Sequence, residues 1–149
     1  MTMTNAEDVC RQQQADKKAW AAERWKRFRE SSQRTRKNLL DHSFALCIDD
    51  IGAGWEYVHF ELDGKTVSSF RISYIGPDVQ MFVNDVSRLK EKDLLEFVFM
   101  DEPGEHPVLV SRRMDNVYIE LPGMEDGVFL KYAGFVEQIT EELEKHYRI

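Results

Sequence analysis

Nothing in this chain approaches the ~18 consecutive apolar residues of a membrane-spanning helix. The opening stretch MTMTNAEDVCRQQQ lacks the apolar core of a signal peptide. These two absences predict a chain that is neither exported nor inserted in a membrane. Only two cysteines occur, Cys10 and Cys47, too few for a disulfide framework, which points to a reducing cytoplasm. Neither has a second Cys or a His at the spacing of a zinc motif, so neither metal nor cofactor is expected. Gly52-Ala53-Gly54 is too short for a phosphate-cradling loop and is followed by no Lys-Thr pair. No G-x-S-x-G elbow is present either. With 42% apolar and 32% charged residues, the composition is that of a globular chain rather than a disordered one. Its 149 residues suffice for a single domain over 1–149 with a hydrophobic core.

Charge is distributed unevenly. Residues 1–40 carry ten Lys/Arg against five Asp/Glu, a formal +5. Residues 41–149 carry ten against twenty-two, a formal −12, which leaves −7 for the whole chain. An acidic body repels nucleic acid and anionic membrane and attracts basic proteins over long range.

No proline or glycine occurs before Gly52. Helix formers dominate residues 11–37, and Thr4 with Glu7 fits a capping box. Ala21, Trp25, Phe28, Ser32, Thr35 and Leu39 recur at helical spacing, opposite Lys26, Arg27, Arg34 and Lys37. The pattern predicts a long basic amphipathic helix over about 6–40, with a break near Ser31-Ser32. Trp25 is expected to be buried, because exposing a large aromatic forfeits roughly 1.5–3 kcal/mol.

Residues 41–149 read as an acidic α+β body. SFALCI (43–48) is a candidate strand and Asp49–Gly54 a turn. WEYVHFEL (55–62) and residues 66–74 form a hairpin about Asp63-Gly64, a favoured two-residue turn. Val58, Phe60 and Leu62 lie on one face of the first strand; Phe70, Ile72 and Tyr74 lie on one face of the second. Gly76-Pro77-Asp78 opens a helix with the stripe Val79, Phe82, Val83, Val86 and Leu89. Strands follow at 94–100, 106–113 and 117–121, with a turn at Asp115-Asn116, then a short strand at 128–132. The C-terminal helix spans 133–147, with Val136, Ile139, Leu143 and Tyr147 inward. The expected fold is α+β: an antiparallel sheet, hairpin plus meander, with helices packed on it.

The acidic connections are the candidate sites. DEPGEH (101–106) brings Asp101, Glu102 and Glu105 to a turn, Asp49 and Asp50 mark a second, and Glu125 and Asp126 a third. Such carboxylates can pair with the Lys/Arg of a basic protein or mimic phosphates in a nuclease groove. The turn DEPGE offers too few convergent oxygens for calcium. An enzyme reading, a hydrolase centred on His106 with Glu102 or Glu105 as its partner, has the right residue types for acid–base work but no nucleophile beside them. A third reading takes the basic helix as a nucleic-acid contact or as the interface of a regulatory homodimer.

The segments ELDGKTVSSFRISYIG, GPDVQMFVNDVSRL, EFVFMDEPGEHPVLVSRR and DNVYIEL, within residues 59–121, resemble the small acidic α+β immunity proteins of bacterial polymorphic-toxin and contact-dependent growth inhibition systems. The basic helix of residues 11–37 lies outside the likeness. The resemblance implies a non-enzymatic cytoplasmic inhibitor that binds a cognate toxin domain, often a nuclease, and blocks its active site. The acidic connections would then be its partner-binding residues.

Overall fold

The computed structural model describes residues 6–52, 55–73, 78–100 and 104–147. The expected Thr4–Glu7 capping box, Tyr74, the Gly76-Pro77 helix start, Asp101, Glu102, and the side chains of Asp50 and Tyr147 lie outside the described residues. The chain divides into two compact units, Met1–Arg36 and Lys37–Ile149. The fold is α+β, with antiparallel strands throughout. No helix among the described residues is long and apolar enough to cross a membrane.

In the first unit, α1 runs from Ala6 to Glu30, and α2 (Gln33–Leu39) begins there. The break falls at Ser31-Ser32, as the sequence predicts. Ser32 Oγ accepts the Thr35 N–H at 3.2 Å, which caps α2. Ser31 Oγ donates to the Arg27 carbonyl at 2.8 Å, satisfying an acceptor in the last turn of α1. Ala21, Trp25 and Phe28 are buried, Trp25 to 2% exposure, with its ring edge-on to Phe28 at 5.6 Å. The apolar stripe ends there. Ser32 and Thr35 are exposed because they are occupied in the cap, and α2 buries no residue.

In the second unit, β1 (Phe44–Gly52), β2 (Trp55–Leu62) and β3 (Lys65–Ser73) form a three-stranded sheet in that order. Asp63 (φ 52°) and Gly64 (φ 83°) both take positive φ at the β2–β3 turn, the backbone that a tight right-twisted hairpin requires. The Asp63 side chain then clasps the start of β1. Its Oδ1 accepts the Ser43 N–H at 2.9 Å, and its Oδ2 lies 2.9 Å from His42 Nδ1. The His42 contact and then the Ser43 bond hold the Asp63 carboxyl below the usual carboxylate range.

One correction concerns Asp49–Gly54. Residues 49–52 continue β1 rather than forming a turn, and Gly52 pairs with Trp55 after a register shift between Asp50 and Gly52. Pairing with β2 carries the ladder past the two aspartates, through Asp49↔Tyr57 and Asp50↔Glu56 to Gly52↔Trp55. Asp49 and Asp50 therefore sit within a strand and not at a loop tip.

Helix α3 (Asp78–Ser87) buries Val79, Phe82, Val83 and Val86, with Leu89 buried just beyond it. A second sheet follows in the order β4 (Leu94–Met100), β5 (Glu105–Arg113), β6 (Asn116–Glu120), β7 (Val128–Lys131). Hairpin and meander are thus two sheets. The β5–β6 turn is Met114-Asp115, one residue earlier than the sequence suggests, and Met114 takes φ 53°. Helix α4 (Tyr132–Tyr147) buries Phe135, Ile139 and Leu143, whereas Val136 is only partly buried. Phe44, Phe60 and Phe70 of the first sheet meet Phe82 of α3 and Phe97 and Phe99 of β4 in one aromatic core.

β1 is an edge strand, and its outward backbone groups are capped by side chains. Gln138 of α4 accepts the Leu46 N–H at 2.8 Å and donates to the Leu46 carbonyl at 2.9 Å, as a neighbouring strand would. Glu142 Oε1, one helical turn on, accepts the Ile48 N–H at 3.1 Å. An amide and a carboxylate four residues apart share a helix face, so α4 closes this edge to further pairing.

Candidate functional site

Antiparallel register decides what lies on the outer face of the first sheet. Phe44, Leu46 and Ile48 point into the core, so Ala45, Cys47 and Asp49 point away from it. Cys47 is directly opposite His59, Ala45 opposite Glu61, and Asp49 opposite Tyr57. Opposite pairs bring Cβ atoms to about 4.5–5.5 Å. One ligand atom each from Cys47, His59 and Glu61 consequently lies within 4.8 Å of the other two. His59 stands between two carboxylates: Nε2 is 3.4 Å from Glu61 Oε1, and Nδ1 is 3.7 Å from Asp49 Oδ2. His59 Nδ1 is buried and makes no hydrogen bond.

The last turns of α4 complete a cleft of about 630 Å³ lined by Cys47, Ile48, Asp49, His59, Glu142, Lys145 and His146. His146 Nε2 reaches through to Glu56 Oε2 at 2.6 Å. Glu56 is fully buried on the core face of β2. The alternation that places Val58, Phe60 and Leu62 inward already puts position 56 on that face. An inward carboxylate was therefore a readable signal, and the C-terminal histidine that meets it was not.

Burial, then the charges of Glu61 and Glu142, push the Cys47 thiol up to about 11. Its thiolate is scarce at neutral pH, which argues against a nucleophilic or redox role for the bare thiol. In a Cys10→Ser background, alkylation of Cys47 is expected to be slow at pH 8 and to accelerate about tenfold per pH unit until near 11. A rate profile with its midpoint at the ordinary thiol value of 9.0 or below would contradict this environment. Because the folded thiol ionises above its ordinary value of 9.0, its contribution to stability is complete below pH 9 and is lost as pH rises toward 11.

The acidic residues singled out in the sequence fall into separate places. Asp49 belongs to the outer face just described, beside His59. Glu105 opens β5 opposite Met100 and is exposed. Glu125 and Asp126 are exposed in the β6–β7 connection. Leu109 pairs with Glu120, so that connection leaves the four-stranded sheet at the same end as the β4–β5 turn. Met100, beside that turn, is 53% exposed. His106 lies flat on Phe70, at 4.9 Å and 14° between ring planes.

No protein-family model, no curated protein and no solved structure matches this chain.

Proposed function

We propose that the chain is a non-enzymatic protein-binding domain that docks a basic partner on the acidic end of its four-stranded sheet. In the finer reading it is an immunity-type inhibitor of a toxin domain. The observation that carries this is the shared sheet end. Glu105, the exposed Met100 opposite it, and the point where the Glu125-Asp126 connection leaves the sheet lie at one end of the ladder. An apolar contact within an anionic rim suits a basic surface: the rim steers encounter, and the methionine supplies desolvated contact. Asp101 and Glu102 belong to the same β4–β5 connection by sequence, and the formal −12 of residues 41–149 adds long-range attraction.

The test begins with affinity capture from the native cell and then uses the captured partner. Neutralising Glu105, Glu125 and Asp126 together with Asp101 and Glu102 should slow association at least tenfold at ~50 mM salt and flatten its dependence up to ~300 mM. Far-UV circular dichroism should be unchanged, because the described members of this set are exposed. Association rates equal to those of the parent at both salt concentrations would remove this end from the interface. Capture of nucleic acid, lost on mutating Arg24, Arg27 and Arg34, would transfer the function to α1 and α2.

A further inference from the structure

We propose that Cys47, His59 and Glu61 form a binding site for a borderline-soft divalent transition-metal ion of the zinc type. The site is independent of the partner-binding end of the other sheet. Three different donors, a sulfur, an imidazole nitrogen and a carboxylate oxygen, already lie mutually within 4.8 Å. In a tetrahedral site with metal–nitrogen and metal–oxygen bonds of about 2.0–2.1 Å, nitrogen and oxygen ligands stand about 3.3 Å apart. His59 Nε2 and Glu61 Oε1 are separated by 3.4 Å. A sulfur bonded at about 2.3 Å would stand roughly 3.6 Å from either, so the thiol needs only a small side-chain adjustment.

The outer nitrogen of His59 strengthens the case. A metal-bound imidazole commonly donates its other N–H to a carboxylate, which fixes the ring and its tautomer. With Nε2 on the metal, His59 Nδ1 would carry the proton. That atom is buried, makes no hydrogen bond, and has Asp49 Oδ2 at 3.7 Å. The arrangement therefore has a positioning carboxylate on one side of the imidazole and a liganding carboxylate on the other. Both strands are held in a hydrogen-bonded ladder, and the β1 edge is further clamped by Gln138 and Glu142. The backbone under the donors is thus set before any ion arrives.

Charge and donor type select the ion. Glu61, Asp49 and Glu142 act on the thiol as negative charges, and Lys145 is the one Lys or Arg among the described residues that line the cleft. Binding replaces the thiol proton: Cys47–SH releases H⁺ to solvent as its sulfur bonds the ion, and no oxidant or reductant takes part. Thiolate, carboxylate and a divalent ion sum to neutrality. Calcium and magnesium prefer all-oxygen shells, whereas Cys/His/Glu donors favour zinc and its cobalt(II) surrogate. Cys47 and His59 also line the cleft, so a water could complete the shell from that side.

Cobalt(II) titration of the untagged full chain tests the site. One equivalent should produce a thiolate-to-cobalt charge-transfer band in the near ultraviolet and visible bands of tetrahedral intensity. Zinc should abolish both, and millimolar magnesium should leave them intact. Cys10→Ser should change nothing, and Cys47→Ser should remove the charge-transfer band. His59→Ala and Glu61→Gln should each weaken binding at least tenfold. Asp49→Asn, which touches the imidazole and not the ion, should weaken it about tenfold. Absence of the charge-transfer band from the parent protein, its survival in Cys47→Ser, or displacement by magnesium would each overturn the proposal. Should Cys47→Ser fail to fold, X-ray absorption of the zinc-loaded parent decides. One sulfur at about 2.3 Å with nitrogen or oxygen at about 2.0 Å supports the site, and a shell without sulfur overturns it.

Discussion

Phe60→Ala is expected to lower the stability of the second unit by roughly 3–5 kcal/mol, the usual range for removing a buried aromatic ring. Phe60 is fully buried on β2. Its ring lies 5.8 Å from Phe44, 6.3 Å from Phe70, 6.0 Å from Phe82 and 6.5 Å from Phe99. These neighbours come from β1, β3, α3 and β4. The two sheets are separate hydrogen-bonded ladders, so side-chain packing of this kind joins them. Removing the ring forfeits transfer energy and leaves a cavity among side chains anchored on four elements, which cannot collapse together. Urea denaturation should show a lower midpoint. Met114→Ala, at a 66% exposed position in the β5–β6 turn, should stay within about 0.5 kcal/mol of the parent. A loss at Phe60 no greater than that of the surface control would mean that the aromatic cluster does not hold the sheets together.

A glycine pair offers the second large effect, with opposite signs at two positions. A Cβ at Gly127 would stand 2.4 Å from the Ile119 carbonyl oxygen and 2.5 Å from the Tyr118 ring. The Gly127 N–H donates to Tyr118 Oη at 3.0 Å, and Tyr118 is itself buried. The obstacle includes a backbone atom inside the β6–β7 ladder, so no rotamer change relieves it; Ile119 pairs with Val128, the next residue. Gly127→Ala should therefore destabilise by about 1–3 kcal/mol through forced backbone movement. Gly134, within α4, has no atom within 4 Å of a built Cβ. Gly134→Ala should stabilise by about 0.5–1 kcal/mol, the helix-propensity difference between the two residues. Thermal unfolding of both variants checks the pair. A neutral Gly127→Ala would show that β6 and β7 can shift apart at this point.

Local chemistry was legible in the sequence. Asp63-Gly64 specified its hairpin because few dipeptides tolerate two consecutive positive φ angles. The stripe of α3 specified its buried face because its apolar spacing matches a helix, and all of Val79, Phe82, Val83, Val86 and Leu89 are buried. Ser31-Ser32 marked the helix break because a hydroxyl can cap the next helix, which Ser32 does. Each of these rests on interactions within a few residues, where pattern and propensity decide.

Tertiary structure decided the rest. Cys47 and His59 are twelve positions apart, a separation that suggests no ligand pair until β1–β2 register sets them opposite each other. Register depended on β1 continuing through Asp49 and Asp50, where the acidic run reads as a turn. The same continuation removed Asp49 from the acidic tips and placed it beside His59. Gln138 and Glu142 read as ordinary polar helix positions. They cap a strand edge more than ninety residues away only because α4 returns along β1. Glu105 and the Glu125-Asp126 connection share a sheet end because β6 reverses along β5. In every such case the partner is distant in sequence, and the energy of pairing depends on a geometry that exists only once the strands and helices have packed.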